Sequence, residues 1–284
     1  MTAGILDGRA CFLGEGPLWH PLRGQLFWFD ILDGRLLSRD AQGAREWPIG
    51  QMAAAAAWVD ADTLAISTET GLRLFDIASG AHEPLAGIEA DNAATRCNDG
   101  RADPMGGFWV STMGKRAEPG AGAIYRYYRG AVAPLFTAIT IPNAICFAPD
   151  GRRAYFADTP TGRIMTVALD AQGWPDGAPE VFADLAAEGL NPDGAQTDAQ
   201  GGVWNAQWGA GRVARYRPDG TFDRAIAVGG RHASCPAFGG PDFATLFVTT
   251  ARQGIEAPDA GQGCVYQAPA GIAGRAEPAL LLGR

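Results

Sequence analysis

The chain has 284 residues, of which 47% are apolar and 19% charged, a composition that excludes a disordered protein and allows a substantial core. A formal net charge of −8 argues against nucleic acid or an anionic membrane surface as the main partner. The longest apolar run, MAAAAAWV at 52–59, is far short of the roughly 18 residues that a membrane-spanning helix needs.

The N-terminal stretch MTAGILDGRACFLGEG has no basic segment followed by an apolar one, so no secretory signal is expected. Cys11, Cys97, Cys146, Cys235 and Cys264 form no C-x-x-C pair. An odd count of this kind reads as buried free thiols in a reducing compartment, the cytoplasm. From residue 26 onward one unit recurs: an apolar or aromatic strand, a turn containing glycine, and a second strand often rich in arginine and aromatics. The copies lie at 26–40, 64–77, 108–128, 154–169, 203–218 and 246–268. Their first strands begin near 27, 64, 108, 155, 204 and 247, spacings of 37 to 49 residues that suit one four-stranded blade each. Upstream of each copy is another strand ending in a Pro/Asp/Gly turn, such as WHPLRG, ADPMGG and FAPDG, read here as the innermost strand and its hairpin. Outer strands are poorly marked, as in 134–140 and 180–185, and only 184–190 suggests a short helical turn. The pattern predicts an all-β fold, a six-bladed β-propeller with four antiparallel strands per blade, as a single domain over 1–284. Residues near 5–12 are expected to complete the last blade beside the C-terminal strand.

Counting back six residues from the inner hairpin turns lands on Glu15, Asn98, Asn143 and Asp193. In the other two blades the positions fall near Ala54 and Ser234. Side chains at this level of a propeller face its axis. Asparagine and aspartate before a turn, NPDG above all, are also ordinary turn formers, but four polar residues at one register are harder to explain that way. Carboxylates held this close would repel unless a cation lay between them. Glu15, Asn143 and Asp193 offer hard oxygen ligands of the kind a divalent ion takes. Gly14 and Gly16 flank the glutamate and allow tight backbone geometry near the crowded axis.

The segments LGEGPLWHP, RCNDGRADPMGGFWVSTM, IPNAICFAPDG, NPDGAQTDAQGGVWNAQW and SCPAFGGPDFATLFVTTAR, in this order over nearly the whole chain, resemble the motifs of the SMP-30/gluconolactonase/luciferin-regenerating-enzyme family, which includes regucalcin. The resemblance implies a six-bladed propeller that hydrolyses a sugar lactone to the aldonic acid with one divalent metal, Ca²⁺, Mg²⁺, Mn²⁺, Fe²⁺ or Zn²⁺. It implies Glu15, Asn143 and Asp193 as metal ligands, Asp193 also as general base, and Arg96 and Asn98 as substrate contacts. Glu118, in the loop GKRAEPGAG, is an uncertain counterpart of an acidic substrate-binding residue used by some members.

Chain direction places the loops near 114–121 and 252–262 at the rim of the metal mouth, where they would set substrate choice. His232, near the Ser234 position, and Trp208, at the end of a second strand, could face a sugar or serve only in packing. No G-x-S-x-G is present, which argues against a serine-triad hydrolase. Two other readings stay open: a non-enzymatic, calcium-handling binding propeller, and an esterase or organophosphate hydrolase on the same site.

Overall fold

The computed structural model describes residues 1–283, and twenty-four strands make up almost all of their regular structure. Two 3-10 turns, Thr159–Thr161 and Ala186–Glu188, are the only helical elements among the described residues. The second falls within the stretch read as a short helical turn. No helix of the described residues is long and apolar enough to cross a membrane.

The strands that carry the apolar runs are buried on both faces. In Gln25–Asp30, Phe27 and Phe29 enter one hydrophobic cluster while Leu26 and Trp28 enter another on the opposite face. This is why such strands read as continuous apolar runs rather than as an alternation. The outer strands are different. Gly43–Pro48 and His82–Gly87 are largely exposed, so nothing in their sequence marks them.

Four antiparallel sheets of four strands follow one another in chain order. The first holds Gly14–His20, Gln25–Asp30, Arg35–Asp40 and Gly43–Pro48. The second holds Ala53–Trp58, Thr63–Thr68, Gly71–Asp76 and His82–Gly87. Thr95–Ala102, Phe108–Gly114, Gly122–Tyr128 and Ala131–Ile139 make the third, and Pro142–Phe147, Arg153–Asp158, Arg163–Ala168 and Glu180–Asp184 the fourth. The remaining eight strands form one sheet, where two separate sheets were expected. Asn191–Thr197, Val203–Trp208, Arg212–Tyr216 and Phe222–Ala227 are one run within it, and His232–Gly239, Thr245–Ala251, Val265–Pro269 and Gly4–Asp7 the other. A single residue pair, Trp208 opposite His232, fuses them. The first strand of each run packs against the first strand of the next, and His232–Gly239 packs against Gly14–His20. The fold is therefore all-β, antiparallel and propeller-like, with its first strands gathered around one axis.

The N-terminal strand does pair with the C-terminal one, Gly4 with Gln267, Ile5 with Tyr266 and Asp7 with Val265, but it ends at Asp7 and not near residue 12. There the Asp7 carboxylate accepts the Arg9 backbone N–H at 3.0 Å, which turns the chain out of the ladder. The same carboxylate pairs with Arg9 at 3.0 Å and Arg39 at 3.2 Å. Burial pushes its pKa up, but the bonds to Arg9 and Arg39 outweigh burial and hold it below the ordinary value of 3.8. A depressed carboxylate contributes stability above its unfolded value and loses it as pH falls through the folded one. Asp7→Asn is expected to cost about 1.5–3 kcal/mol at neutral pH, measured by urea unfolding. The gap from the parent should close as pH falls below 3.8; a gap independent of pH would reject the ion-pair account.

Beyond Pro269 the chain runs across the hairpin ends of the first strands. Ala199 N–H donates to Ala273 O, Leu280 N–H to Trp58 O and Leu281 N–H to Gly106 O, at 2.8–2.9 Å. Glu277, from this tail, enters the axis and pairs with Arg101, buried like it. The sequence pattern carried no sign of this segment.

Candidate active site

Every one of the six first strands breaks register near the level picked out by the sequence. The shifts fall between Glu15 and Leu18, Ala53 and Ala55, Cys97 and Gly100, Asn143 and Cys146, Pro192 and Ala195, and Ala233 and Cys235. A bulge puts an extra residue into one strand and re-aims its side chains. Here it lets Glu15, Asn98, Asn143 and Asp193 line one cavity of about 660 Å³ at the end of the axis, within the size range of small-molecule sites.

Bulges strand backbone groups, and side chains of the second strands recover several of them. Ser67 Oγ accepts from Ala55 N–H at 3.1 Å, and Ser111 Oγ accepts from Asp99 N–H at 2.9 Å. Asn205 Nδ2 donates to Asp193 O at 2.8 Å, and Thr249 Oγ1 donates to Cys235 O at 3.1 Å. A polar residue within an otherwise apolar second strand, as Ser111 in WVSTM and Asn205 in VWNAQ, was the available signal, and sequence reasoning missed it.

The glycines around Glu15 have separate causes. A Cβ on Gly14 would meet Thr250 O at 2.5 Å. Gly16 has φ of +53°, and a Cβ there would sit 2.0 Å from Ala54 O. Strain and overpacking together make Gly16→Ala cost about 2–4 kcal/mol, read from a shift in denaturation midpoint. An unchanged midpoint would show that the two neighbouring strands separate without penalty.

A chain of hydrogen bonds fixes the amides. Thr159 Oγ1 donates to Pro192 O at 2.7 Å and accepts from Asn143 Nδ2 at 2.9 Å. Asn143 Oδ1 accepts from Asn98 Nδ2 at 2.9 Å, and Asn98 Oδ1 accepts from Arg96 Nη1 at 2.9 Å. Asn98 Nδ2 also donates to Pro142 O at 3.0 Å, so both amide hydrogens of Asn98 are engaged with protein, while Oδ1 keeps a second lone pair at the cavity. Arg96, 6% exposed, gives Nη1 to Cys97 O and Asn98, which leaves Nε and Nη2 for the cavity that it lines. Thr159 went unnoticed in the sequence because it follows the second strand and meets Asn143 only through the pairing of the two strands.

The electrostatics are unfavourable to the protein alone. Burial, then the charges of Asp193 and Asp99, raise the Glu15 pKa well above its ordinary value; the Gly16 N–H and Arg96 oppose them. Burial and Asp99 do the same to Asp193, against the Gly194 N–H and Arg96. Asp99 is itself held below the floor of the cavity by Gly100 N–H at 2.7 Å and Ile145 N–H at 2.9 Å.

The donor set fits a hard dication: two carboxylates cancel its charge, and an amide oxygen fixed by Thr159 and Asn98 adds a neutral ligand. Among the described residues no group of three His, Cys, Asp or Glu is placed to hold a metal. The rim loops reach the cavity through Lys115, Arg116 and Ala117 on one side and Gln253 and Gly254 on the other. Glu118 does not line it. Its carboxylate accepts from Arg116 Nε at 3.0 Å and Arg116 N–H at 3.1 Å. Trp208 and His232 line the wall, whereas Ser234 is sealed behind it, donating to Gly14 O at 2.5 Å. All five cysteines are buried free thiols. A second, smaller cavity of about 160 Å³ lies beside the Arg101–Glu277 pair, whose charges satisfy each other.

These features define a propeller-like protein with two buried carboxylates and a hydrogen-bonded amide lining one cavity at one end of its axis. Residues 13–252 match the SMP-30/Gluconolactonase/LRE-like region, and the chain belongs to that family. It is 36% identical to an L-arabinolactonase of Azospirillum brasilense over 93% of this chain and 90% of that protein. It is 31% identical to a pentonolactonase of Haloferax volcanii over 98% and 97%. The crystal structure of a calcium-binding protein, regucalcin, from Agrobacterium tumefaciens strain C58 superposes with a TM-score of 0.94, at 40% identity over 99% of this chain and 98% of that one.

Proposed function

We propose that this chain, a single six-bladed domain over 1–284, is a metal-dependent sugar lactonase that opens an aldonolactone to its acid. The eight-stranded sheet counts as two blades because one residue pair alone joins its halves. The observation that carries the function is a pair of buried, mutually repelling carboxylates, Glu15 and Asp193, sharing a cavity with the engaged amide of Asn143. The lactonases among its relatives support the substrate class.

A divalent cation held by Glu15, Asn143 and Asp193 would act as a Lewis acid toward the lactone carbonyl and ease deprotonation of water. Asp193 takes the proton of the attacking water as its oxygen bonds to the carbonyl carbon. When the ring C–O bond breaks, the proton held by Asp193 passes to the leaving ring oxygen, which completes the hydroxy acid and frees the carboxylate. Arg96 directs Nε and Nη2 at oxygen atoms of the substrate, and Asn98 holds both Arg96 and Asn143 in place. Glu118 reaches this cavity only through Arg116, which lines it.

The deciding experiment treats the protein with chelator, restores each of Ca²⁺, Mg²⁺, Mn²⁺, Fe²⁺ and Zn²⁺ in turn, and assays aldonolactones and phenyl esters. Activity on lactones that is lost with chelator and regained with metal is expected. Tight calcium binding with no turnover on any substrate would favour the binding-protein reading, which the likeness to a calcium-binding regucalcin supports.

A further inference from the structure

We infer that His232 is a specificity residue: its Nε2 accepts a hydrogen bond from a substrate hydroxyl and so selects hydroxylated lactones. The inference rests on the lactonase reading above.

His232 opens the first strand of its run and lines the same cavity as Glu15, Arg96 and Asp193. Its ring lies flat on Trp208, with centroids 4.2 Å apart and planes at 17°, and the bridge between the two residues anchors its backbone. The tautomer follows from its partner. Nδ1 stands 2.9 Å from Gln253 O, and a carbonyl can only accept, so Nδ1 carries the hydrogen. In the neutral ring Nε2 is then a bare lone pair. Burial, helped by Arg231, holds the ring below its ordinary value of 6.5 against the bond to Gln253, so the neutral form prevails at neutral pH. Among the described residues no partner reaches Nε2, and it is not sealed from solvent. The loop of Gln253 and Gly254 packs along this edge of the ring, with Gly254 placed so that a Cβ would lie 4.0 Å from Cε1.

The rest of the cavity explains why this lone pair matters. Arg96, Lys115 and Arg116 only donate. Glu15, Asn143 and Asp193 are committed to the cation in the proposed reaction. A sugar hydroxyl must place its own proton somewhere; the side-chain oxygens of Asn98 and Gln253 can also accept it, and His232 supplies the acceptor that is held rigid by its stack on Trp208. An analogue without that hydroxyl leaves the site's polar atom unpaired, which is how a polar site rejects it.

The test compares the parent enzyme with His232→Phe, His232→Ala and His232→Gln on a hydroxylated six-membered aldonolactone and on unsubstituted δ-valerolactone. Thermal melts verify that each variant folds, and the alanine variant stands in if the phenylalanine one does not. Loss of the acceptor should raise KM for the aldonolactone about tenfold with kcat little changed. It should leave kcat/KM for δ-valerolactone within about twofold, and glutamine, which keeps an acceptor oxygen, should restore part of the loss. Equal losses on both lactones would show a structural prop and overturn this inference alone. No loss on either would overturn it as well. A parent enzyme that opens neither lactone would overturn the lactonase reading and this inference with it.

Discussion

Asp193→Asn should lower lactone hydrolysis by about 10²–10⁴-fold and, in chelator-treated protein, raise stability. The substitution keeps the shape and one oxygen of the side chain but removes the base and one of the two charges proposed to balance a cation. Glu15 and Asp193 are both pushed well above the ordinary carboxylate range, by burial first and then by neighbouring charge. Each pKa unit of such a shift corresponds to about 1.4 kcal/mol of penalty on the ionised state. Relieving one member should therefore stabilise the metal-free chain by something of order 1 kcal/mol. Initial rates on an aldonolactone and melts in chelator measure both. Full activity in the variant would reject Asp193 as base; a loss of activity with a loss of metal-free stability would show a packing role instead.

The second large effect lies at the other end of the axis. Arg101 is paired with Glu277 and also donates to Ile145 O at 3.1 Å, while Gln196 Nε2 donates to Glu277 Oε1 at 2.8 Å. Truncating one partner of a buried pair leaves an uncompensated charge and costs about 3–5 kcal/mol. The two partners are not equivalent. Burial already pushes the Glu277 carboxyl up, although Arg101 opposes this, so without Arg101 it can take a proton and become neutral. A guanidinium has no such escape. Glu277→Leu should thus cost about 3–5 kcal/mol, and Arg101→Met clearly less, with the double variant recovering most of the loss. Urea unfolding of the three variants checks the order. Equal costs for the two single variants would mean that the pair contributes through packing of the tail rather than through its charge.

Much of the site could be located in the chain because the propeller repeat is local. Each unit has its own hairpin, so a count of six residues back from Pro21, Pro104, Pro149 and Ala199 stays in register and arrives at Glu15, Asn98, Asn143 and Asp193. The same count failed to reveal that Asn98 spends its amide on Asn143 and Pro142, because those partners come from the next run of strands. Glu118 was picked from its loop, and loop chemistry does not say which way a side chain turns; here Arg116, two residues away, engages its carboxylate. Thr159 carries no motif at all and matters only because Asn143 and Pro192 arrive on either side of it.

The amino-acid sequence by itself determined the strand repeat, the buried thiols, the four polar residues at one level and the glycines beside Glu15. These are properties of period, spacing and residue size, which act over a few neighbours. Tertiary structure alone decided the fusion of two strand runs through Trp208 and His232, the tautomer of that histidine and the pairing of Glu277 with Arg101. Each of these depends on which distant residue ends up within hydrogen-bond or contact range. That is a matter of ring closure, and closure is a property of all the strands at once.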